Sequence, residues 1–107
     1  MTLDETYGHV AHWQGETFPD ATLDGAVAHL KKEALEVVNA HALRHHCPEQ
    51  DFSEEVADVF FMLVQICELR GTNLADEVMR KLAINKARHW PSKPDPDGCY
   101  HHEKGQP

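Results

Sequence analysis

Two pairs of acidic residues, each with a spacing of three, lie in stretches whose apolar residues recur at helical intervals. The pairs are Glu33 with Glu36, and Glu55 with Asp58. Residues at i and i+3 share one face of a helix, so each pair directs two carboxylates the same way. Apolar neighbours place both pairs beside the expected core, where a carboxylate is costly unless it is paired, protonated or bound to a metal. The pattern predicts either a divalent metal site or a solvated acidic surface.

The type of ligand decides which metal such a site would hold. All four side chains are carboxylates, without the Glu-x-x-His motif of di-iron bundles or the histidine usual in catalytic zinc sites. Oxygen ligands favour Mg²⁺ or Mn²⁺, and Mg²⁺ is commonly held by a few carboxylates together with substrate phosphates. The sequence has no Gly-x-x-x-x-Gly-Lys-Ser/Thr loop, which excludes a P-loop nucleotidase. Phosphoryl chemistry on a nucleotide is therefore a natural use of this metal.

Apolar spacing predicts an all-α fold of four helices, because no stretch shows the alternation of a strand. The expected inward residues are Leu23, Val27, Leu30, Ala34, Val37 and Val38 in the second helix, Val56, Val59, Phe60, Leu63, Ile66 and Cys67 in the third, and Leu74, Val78, Met79 and Leu82 in the fourth. The first helix should end before the turn at residues 18–20, and Thr22 should cap the start of the second. The third helix should run from about Glu54 to Arg70, with Ser53 as its N-terminal cap and Gly71 at its C-terminal end. Thr72 or Asn73 should cap the start of the fourth helix.

The acidic pairs also constrain how the second and third helices pack. If the four carboxylates converge, the helices are antiparallel, with Glu36 facing Glu55 and Glu33 facing Asp58. Glu55 lies near the start of the third helix, so the matching end of the second should fall near residue 40. We therefore expect residues 42–51 to be mainly loop.

Length and charge limit the class of protein. A chain of 107 residues is expected to form one domain with a modest core, which favours oligomerisation. Its formal net charge of −8 argues against a nucleic-acid or anionic-membrane surface. No apolar stretch approaches the ~20 residues of a membrane span, and no targeting pattern is visible, so we expect a cytoplasmic protein. Prolines and a glycine predict an extended tail over 91–107 after an all-α domain over 1–90.

Other side chains are candidates for substrate contact, each with an ordinary structural alternative. Basic and amide residues of the fourth helix form a stripe that could face an anion. Two aromatic residues could stack on a base, although an aromatic at helical spacing is more often part of a core. One histidine, a turn before Glu33, could support a metal ligand or touch substrate, although a surface histidine is commoner. These candidates are Lys81, Asn85 and Arg88, then Trp13 and Phe18, then His29.

Three motifs in this order resemble a known family: Glu33-Ala-Leu-Glu36, Glu55-Val-Ala-Asp58, and the run from Lys81 to Arg88. They are similar to the MazG-type all-α nucleoside triphosphate pyrophosphohydrolases, and more closely to the dATP/dGTP diphosphohydrolase branch found in phages and bacteria. Flanking features of that branch are His12-Trp13-Gln14, Thr17-Phe18-Pro19, the run 29–33, and Asp97-Gly98 followed by histidine. The chain departs from the superfamily signature at Lys32, where the signature has its first glutamate.

The resemblance implies a MazG-like four-helix bundle completed by a homodimer or homotetramer, and hydrolysis of a purine (deoxy)nucleoside triphosphate, such as dGTP or dATP, to the monophosphate and pyrophosphate. It implies two or more Mg²⁺ or Mn²⁺ ions on Glu33, Glu36, Glu55 and Asp58, with Glu33 or Glu36 as the catalytic residue that orients water. Substrate contacts are expected from Lys81, Asn85, Lys86 and Arg88, and from Lys32, Trp13, Phe18 and His29. The alternative is a non-catalytic acidic helical module that binds metal or a partner protein.

Overall fold

The described part of the chain is helical. The structure is a computed structural model that describes residues 1–46, 48 and 51–103. These residues form α1 (Leu3–Thr17), α2 (Leu23–Ala42), α3 (Phe52–Arg70) and α4 (Leu74–Ala87), with no strand among them. The all-α class is therefore confirmed. The chain divides into two compact units, one reaching Leu74 and the other beginning at Ala75, and the predicted domain boundary at residue 90 stays a prediction.

Local capping signals set most of the helix ends. The Thr22 hydroxyl accepts a hydrogen bond from the Gly25 N–H at 3.1 Å, and Gly71 ends α3 with a φ of 77°, as the sequence predicts. The predicted cap of α3 is wrong, because Asp51 takes that position. Its Oδ1 accepts the N–H groups of Ser53 at 2.8 Å and Glu54 at 3.2 Å. A carboxylate that accepts both bonds starts the helix earlier than the predicted Glu54.

The connection between α2 and α3 begins where the carboxylate argument places it. The last residue of α2 is Ala42, and the Leu43 N–H donates to the Asn39 carbonyl oxygen at 2.8 Å. Residues 43–46 form turns rather than further helix. Within the segment 42–51, which the sequence predicts to be mainly loop, Cys47, Glu49 and Gln50 lie outside the described residues. Ala42 is still helical, and the other described residues of the segment are not, which confirms the prediction for them.

α3 is the central helix of the first unit, since both α2 and α1 pack against it. The side chain of Val64 on α3 is fully buried. The buried apolar residues are small or medium in size and few: Val10, Ala26, Ala40, Met62, Val64 and Cys67. No helix among the described residues combines the length and apolar character needed to cross a bilayer.

Several residues expected to face inward are instead exposed, which corrects the predicted core. Val27 and Val38 of α2 are 51% and 58% exposed, and Val56 of α3 is 46% exposed. On α4, no residue is buried, and the side chain of Met79 is 63% exposed. An apolar stripe on a helix can pack against more than one neighbouring helix, and within the single chain only part of the stripe is covered. The uncovered apolar surface is therefore suited to a partner.

The tail is irregular, as its prolines predict, but it is not fully extended. Asp95 closes a turn through its backbone and its side chain. Its N–H donates to the Cys99 carbonyl oxygen at 2.8 Å. Its Oδ1 accepts hydrogen bonds from the Cys99 N–H at 3.0 Å and from the Asp97 N–H at 2.9 Å. The backbone hydrogen bond from Cys99 is the main cause that lowers the pKa of Asp95. Farther on, the Glu103 N–H donates to the His89 carbonyl oxygen at 3.1 Å. These local bonds form turns in the described residues of the tail, which contain no helix or strand, and the predicted extent of the tail over 91–107 stays a prediction.

Candidate metal centre and adjoining cleft

The four acids singled out in the sequence converge between α2 and α3. One oxygen from each of Glu33, Glu36, Glu55 and Asp58 lies within 4.8 Å of the others. The carboxyl groups of Glu36 and Glu55 lie close enough to interact, which confirms that these two residues face each other.

Burial and like charge make this arrangement unfavourable for four ionised groups. The pKa of Glu55 is raised first by burial, then by its hydrogen bond to Glu36 and the negative charges of Glu36, Asp58 and Glu33. Each of these causes favours the neutral acid over the carboxylate. A cation held among the four groups would reverse that preference, because it stabilises the ionised form.

The oxygen atoms of the cluster fit a divalent cation. Within the described residues, Glu33 Oε2 and Glu55 Oε2 are buried without a hydrogen-bond partner. Buried acceptors normally have a partner, and leaving one without is costly. Mg²⁺ and Mn²⁺ take oxygen ligands from carboxylates, so both ions would satisfy these atoms. The cluster is therefore chemically suited to the predicted metals.

His29 contacts one of the candidate metal ligands. Its Nε2 lies 2.8 Å from Oε1 of Glu33, whose side chain is only 13% exposed. An ionised carboxylate only accepts hydrogen bonds, so the imidazole N–H is the donor. The contact fixes Glu33 through Oε1 and leaves the buried Oε2 for another ligand. Of the two functions considered for His29 in the sequence, this geometry favours support of a metal ligand.

A cleft of about 670 Å³ adjoins the acids. Its aromatic wall has Trp13 in edge contact with Phe18, with ring centroids 5.4 Å apart, and with Phe61 at 6.1 Å. The volume lies within the range of about 300–1,000 Å³ typical of small-molecule sites. The cleft is lined by Trp13, Gln14, Thr17, Phe18, Pro19, Asp20, Ala21, Thr22, Gly25, Ala26, His29, Glu33, Asp58, Phe61, Met62 and Gln65. It therefore brings together five of the predicted site residues: Trp13, Phe18, His29, Glu33 and Asp58.

The remaining predicted substrate contacts are not part of this cleft lining. Lys32 is exposed on α2. Lys81, Asn85 and Lys86 lie on α4, in the second unit, and Arg88 follows that helix. The Arg88 guanidinium donates to the Asn85 side-chain oxygen at 3.0 Å. The predicted contacts of these residues with phosphate stay predictions.

Gln14 was not among the predicted site residues, although the structure places it in the cleft wall. It is only 6% exposed, and its Nε2 donates to the Phe61 carbonyl oxygen at 2.8 Å. In the sequence it appears only as part of the flanking His12-Trp13-Gln14 motif. The available signal is its spacing of four from Val10, which places a polar side chain on the buried face of an amphipathic helix.

An antiparallel helical hairpin that holds four carboxylates beside an aromatic cleft has the fold and chemistry of the MazG-type all-α class. The family model of dATP/dGTP pyrophosphohydrolase matches residues 6–106. The chain belongs to this family, which confirms the resemblance read from the sequence.

Individual relatives agree with this assignment. A dATP/dGTP diphosphohydrolase of Salmonella phage PMBT28 is 35% identical over 89 residues, which cover 83% of this chain but only 28% of the relative. The dATP/dGTP diphosphohydrolase of cyanophage S-2L is 33% identical over 89 residues, covering 83% of this chain and 78% of the relative. This chain therefore spans less than a third of the first relative and most of the second.

A solved structure is similar over nearly the whole chain. It is the cyanophage S-2L MazG-like pyrophosphohydrolase bound to dGDP and three catalytic Mn²⁺ ions per active site. The TM-score is 0.75 at 28% identity, and the match covers 99% of this chain and 96% of the other. The MazG-like fold is therefore confirmed.

Replacing Glu36 with Gln tests whether the cluster is a site of repulsion relieved by metal. The variant removes one negative charge and keeps a group able to donate to Glu55, so without metal its melting temperature at neutral pH should equal or exceed that of the wild type. Mn²⁺ should raise the melting temperature of the wild type and raise that of Glu36→Gln much less. Calorimetric or fluorescence-detected melting with a chelator and with Mn²⁺ measures both effects.

The pH dependence of the same variant follows from the raised pKa of Glu55. Because the folded protein raises the pKa of Glu55, the protonated form of Glu55 favours the folded state. This contribution to the free energy of unfolding is fully present below the ordinary glutamate pKa of 4.5, and it is lost as the pH rises through the raised pKa. The metal-free wild type should therefore gain stability relative to Glu36→Gln on acidification from neutral pH. Glu54→Gln, an exposed charge removal on the same hairpin, should keep the wild-type response to Mn²⁺. A large loss of metal-free stability in Glu36→Gln would instead make Glu36 a structural residue.

Proposed function

We propose that this protein hydrolyses a purine deoxynucleoside triphosphate, dGTP or dATP, to the monophosphate and pyrophosphate, using Mg²⁺ or Mn²⁺. The observation that carries the proposal is the convergence of four carboxylates at one side of a cleft of nucleotide size. The names of the two phage relatives, and the dGDP and Mn²⁺ in the solved relative, support the same reaction. At least two metal ions per site are proposed, and three would match that relative.

The roles of the acids follow from their positions. Glu33, Glu36, Glu55 and Asp58 would hold the metal, which when bound neutralises phosphate charge and acidifies nearby water. Glu33 or Glu36 orients the attacking water and accepts a proton from it. The water oxygen forms a bond to the α-phosphorus, and the bond from that phosphorus to the oxygen bridging the α- and β-phosphates breaks. Pyrophosphate leaves with the electron pair of the broken bond.

The substrate contacts proposed from sequence divide between base and phosphates. Trp13 and Phe18 line the cleft and offer aromatic surface to a purine ring. Lys32 and the basic or amide residues on and just after α4 would hold phosphate oxygens, because cationic and amide groups donate hydrogen bonds to anions. These α4 residues are Lys81, Asn85, Lys86 and Arg88.

A product analysis tests the reaction. The protein is incubated with each deoxynucleoside and ribonucleoside triphosphate in Mg²⁺ or Mn²⁺, in water labelled with oxygen-18. We expect pyrophosphate together with a monophosphate that carries the label, since attack is at the α-phosphorus. Glu36→Gln and Asp58→Asn should each lower kcat/KM by roughly a hundredfold or more, because each removes a metal ligand or proton acceptor.

The alternatives give different products. Orthophosphate with a diphosphate product, or label in pyrophosphate, would contradict attack at the α-phosphorus. Mn²⁺ binding without any turnover would favour a non-catalytic metal-binding module. The absence of both binding and turnover, in wild type and variants alike, would favour a module that binds a partner protein. Glu54→Gln is the matched control, since it removes an exposed charge outside the cluster and should retain activity.

His29 is proposed to position Glu33 through their 2.8 Å contact. His29→Leu removes the donor and should weaken Mn²⁺ binding about 10–100-fold, whereas His29→Gln can still donate and should remain close to wild type. Mn²⁺ affinity is measured by calorimetry or by electron paramagnetic resonance of the free ion, without nucleotide. Equal affinities for the two variants would rule out this role.

We also propose that the protein is a homodimer or homotetramer. Exposed apolar residues on α2, α3 and α4 support an interface between copies, because the single chain leaves them in water. Light scattering should give about two or four times the 12.1 kDa chain mass. Val38→Lys should reduce the measured mass, since it places a charge on this surface, while the control Lys31→Glu changes the charge of an exposed polar residue on the same helix. A monomeric mass for the wild type would contradict the proposal.

The proposed location is the cytoplasm of a bacterium or of a phage-infected bacterial cell. Both relatives named above are phage proteins. Deoxynucleoside triphosphates are used in that compartment, where their hydrolysis would control the nucleotide pool.

A further inference from the structure

The side-chain amide of Gln14 has a hydrogen-bond partner for its nitrogen but none, among the described residues, for its oxygen. The residue is only 6% exposed. Its Nε2 donates to the Phe61 carbonyl oxygen at 2.8 Å, which fixes the orientation of the amide, because a carbonyl oxygen cannot be partnered by Oε1. Within the described residues, Oε1 has no hydrogen-bond partner. The bond to Phe61 therefore presents an unsatisfied acceptor at a defined position.

Gln14 forms part of the wall of the cleft that would hold the base. Gln14 lines the cleft together with Trp13, Phe18 and Phe61, whose rings provide an apolar wall. It also borders a second cavity of about 160 Å³, shared with Phe18 and Gln65. Oε1 itself is buried, so a base edge would reach it only if the side chains between these two cavities shifted. A buried acceptor without a partner is costly to the folded protein, and a donor on a ligand would remove that cost.

We infer that Gln14 Oε1 accepts a hydrogen bond from an N–H group of the purine base, which makes Gln14 a specificity-determining residue. The inference rests on the proposed function and extends it from the phosphates to the base. Guanine offers N1–H and a 2-amino group, adenine offers a 6-amino group, and unsubstituted purine offers no such donor on its six-membered ring. A site with a fixed buried acceptor discriminates against a base without a donor, since the acceptor stays unpaired in that complex.

Binding of three diphosphates that differ only in the base tests this contact without relying on turnover. Calorimetry in Mn²⁺ compares dGDP, dADP and the diphosphate of unsubstituted purine deoxyriboside. The wild type should bind the better of dGDP and dADP roughly ten- to a hundredfold more tightly than the purine analogue. Gln14→Met has a similar length but no acceptor, so the same ratio should fall to within about threefold.

Gln65→Met makes the same chemical change at another residue of the cleft wall, so it distinguishes the two glutamine side chains. It should keep the wild-type ratio between the diphosphates. Circular dichroism and melting curves establish that both variants are folded. If Gln14→Met does not fold, Gln14→Leu, which also lacks the acceptor, replaces it, and equal binding of all three diphosphates by the wild type still overturns the inference.

Other outcomes separate this contact from a structural role. A Gln14→Met variant that weakens all three diphosphates equally would show that Gln14 only braces α1 against Phe61. Discrimination lost in Gln65→Met and kept in Gln14→Met would move the base contact to Gln65. Pyrophosphate release from dGTP or dATP without base discrimination would overturn this inference while leaving the proposed function intact, whereas absence of both binding and turnover would overturn both.

Discussion

The repulsion among four carboxylates placed within 4.8 Å of one another is the constraint on which the α2–α3 hairpin depends. To bring them together, the helices must run antiparallel, and α2 must end close to Ala42 so that α3 can return beside it. Without metal, protonation offsets part of the repulsion, as the raised pKa of Glu55 indicates. The acidic cluster therefore lowers the stability of the metal-free hairpin, and a bound cation would restore it. Functional sites are commonly less stable than the rest of a fold in this way.

The hairpin and α1 contribute different parts of the candidate site. α2 and α3 carry the acids, whereas α1 supplies Trp13 and Gln14 to the wall of the cleft. The Gln14 amide connects α1 to α3 at the Phe61 carbonyl group, so the helix that would contact the base is held by the helix that carries half of the acids. A shift of α1 would alter the base contacts while the four carboxylates stay together. A substitution on α1 could thus change the contacts to the base without changing the metal chemistry.

Features that depend on nearby residues could be predicted from the sequence, and features that depend on distant neighbours could not. Gly71 ends α3 because of its own conformational freedom, and the acidic pairs converge because a helical repeat fixes their direction. The pattern could not show that the apolar side chain of Val38 would lie uncovered, since covering it requires another surface. Nor could it orient the amide of Gln14, whose partner lies 47 residues away. Asp51 and Ser53 are both good cap residues, so composition alone did not choose between them.

Under the proposed function, the charge of the centre explains how a chain with a net charge of −8 would act on a polyanion. Four carboxylates placed this close together repel a triphosphate. Two divalent cations would cancel the four carboxylate charges, and a third, the number in the solved relative, would make the centre positive. Under the proposed function, the metal therefore determines whether the substrate is attracted or repelled, before any chemical step. Basic side chains elsewhere then need only orient the phosphates, which is consistent with a chain that has few of them.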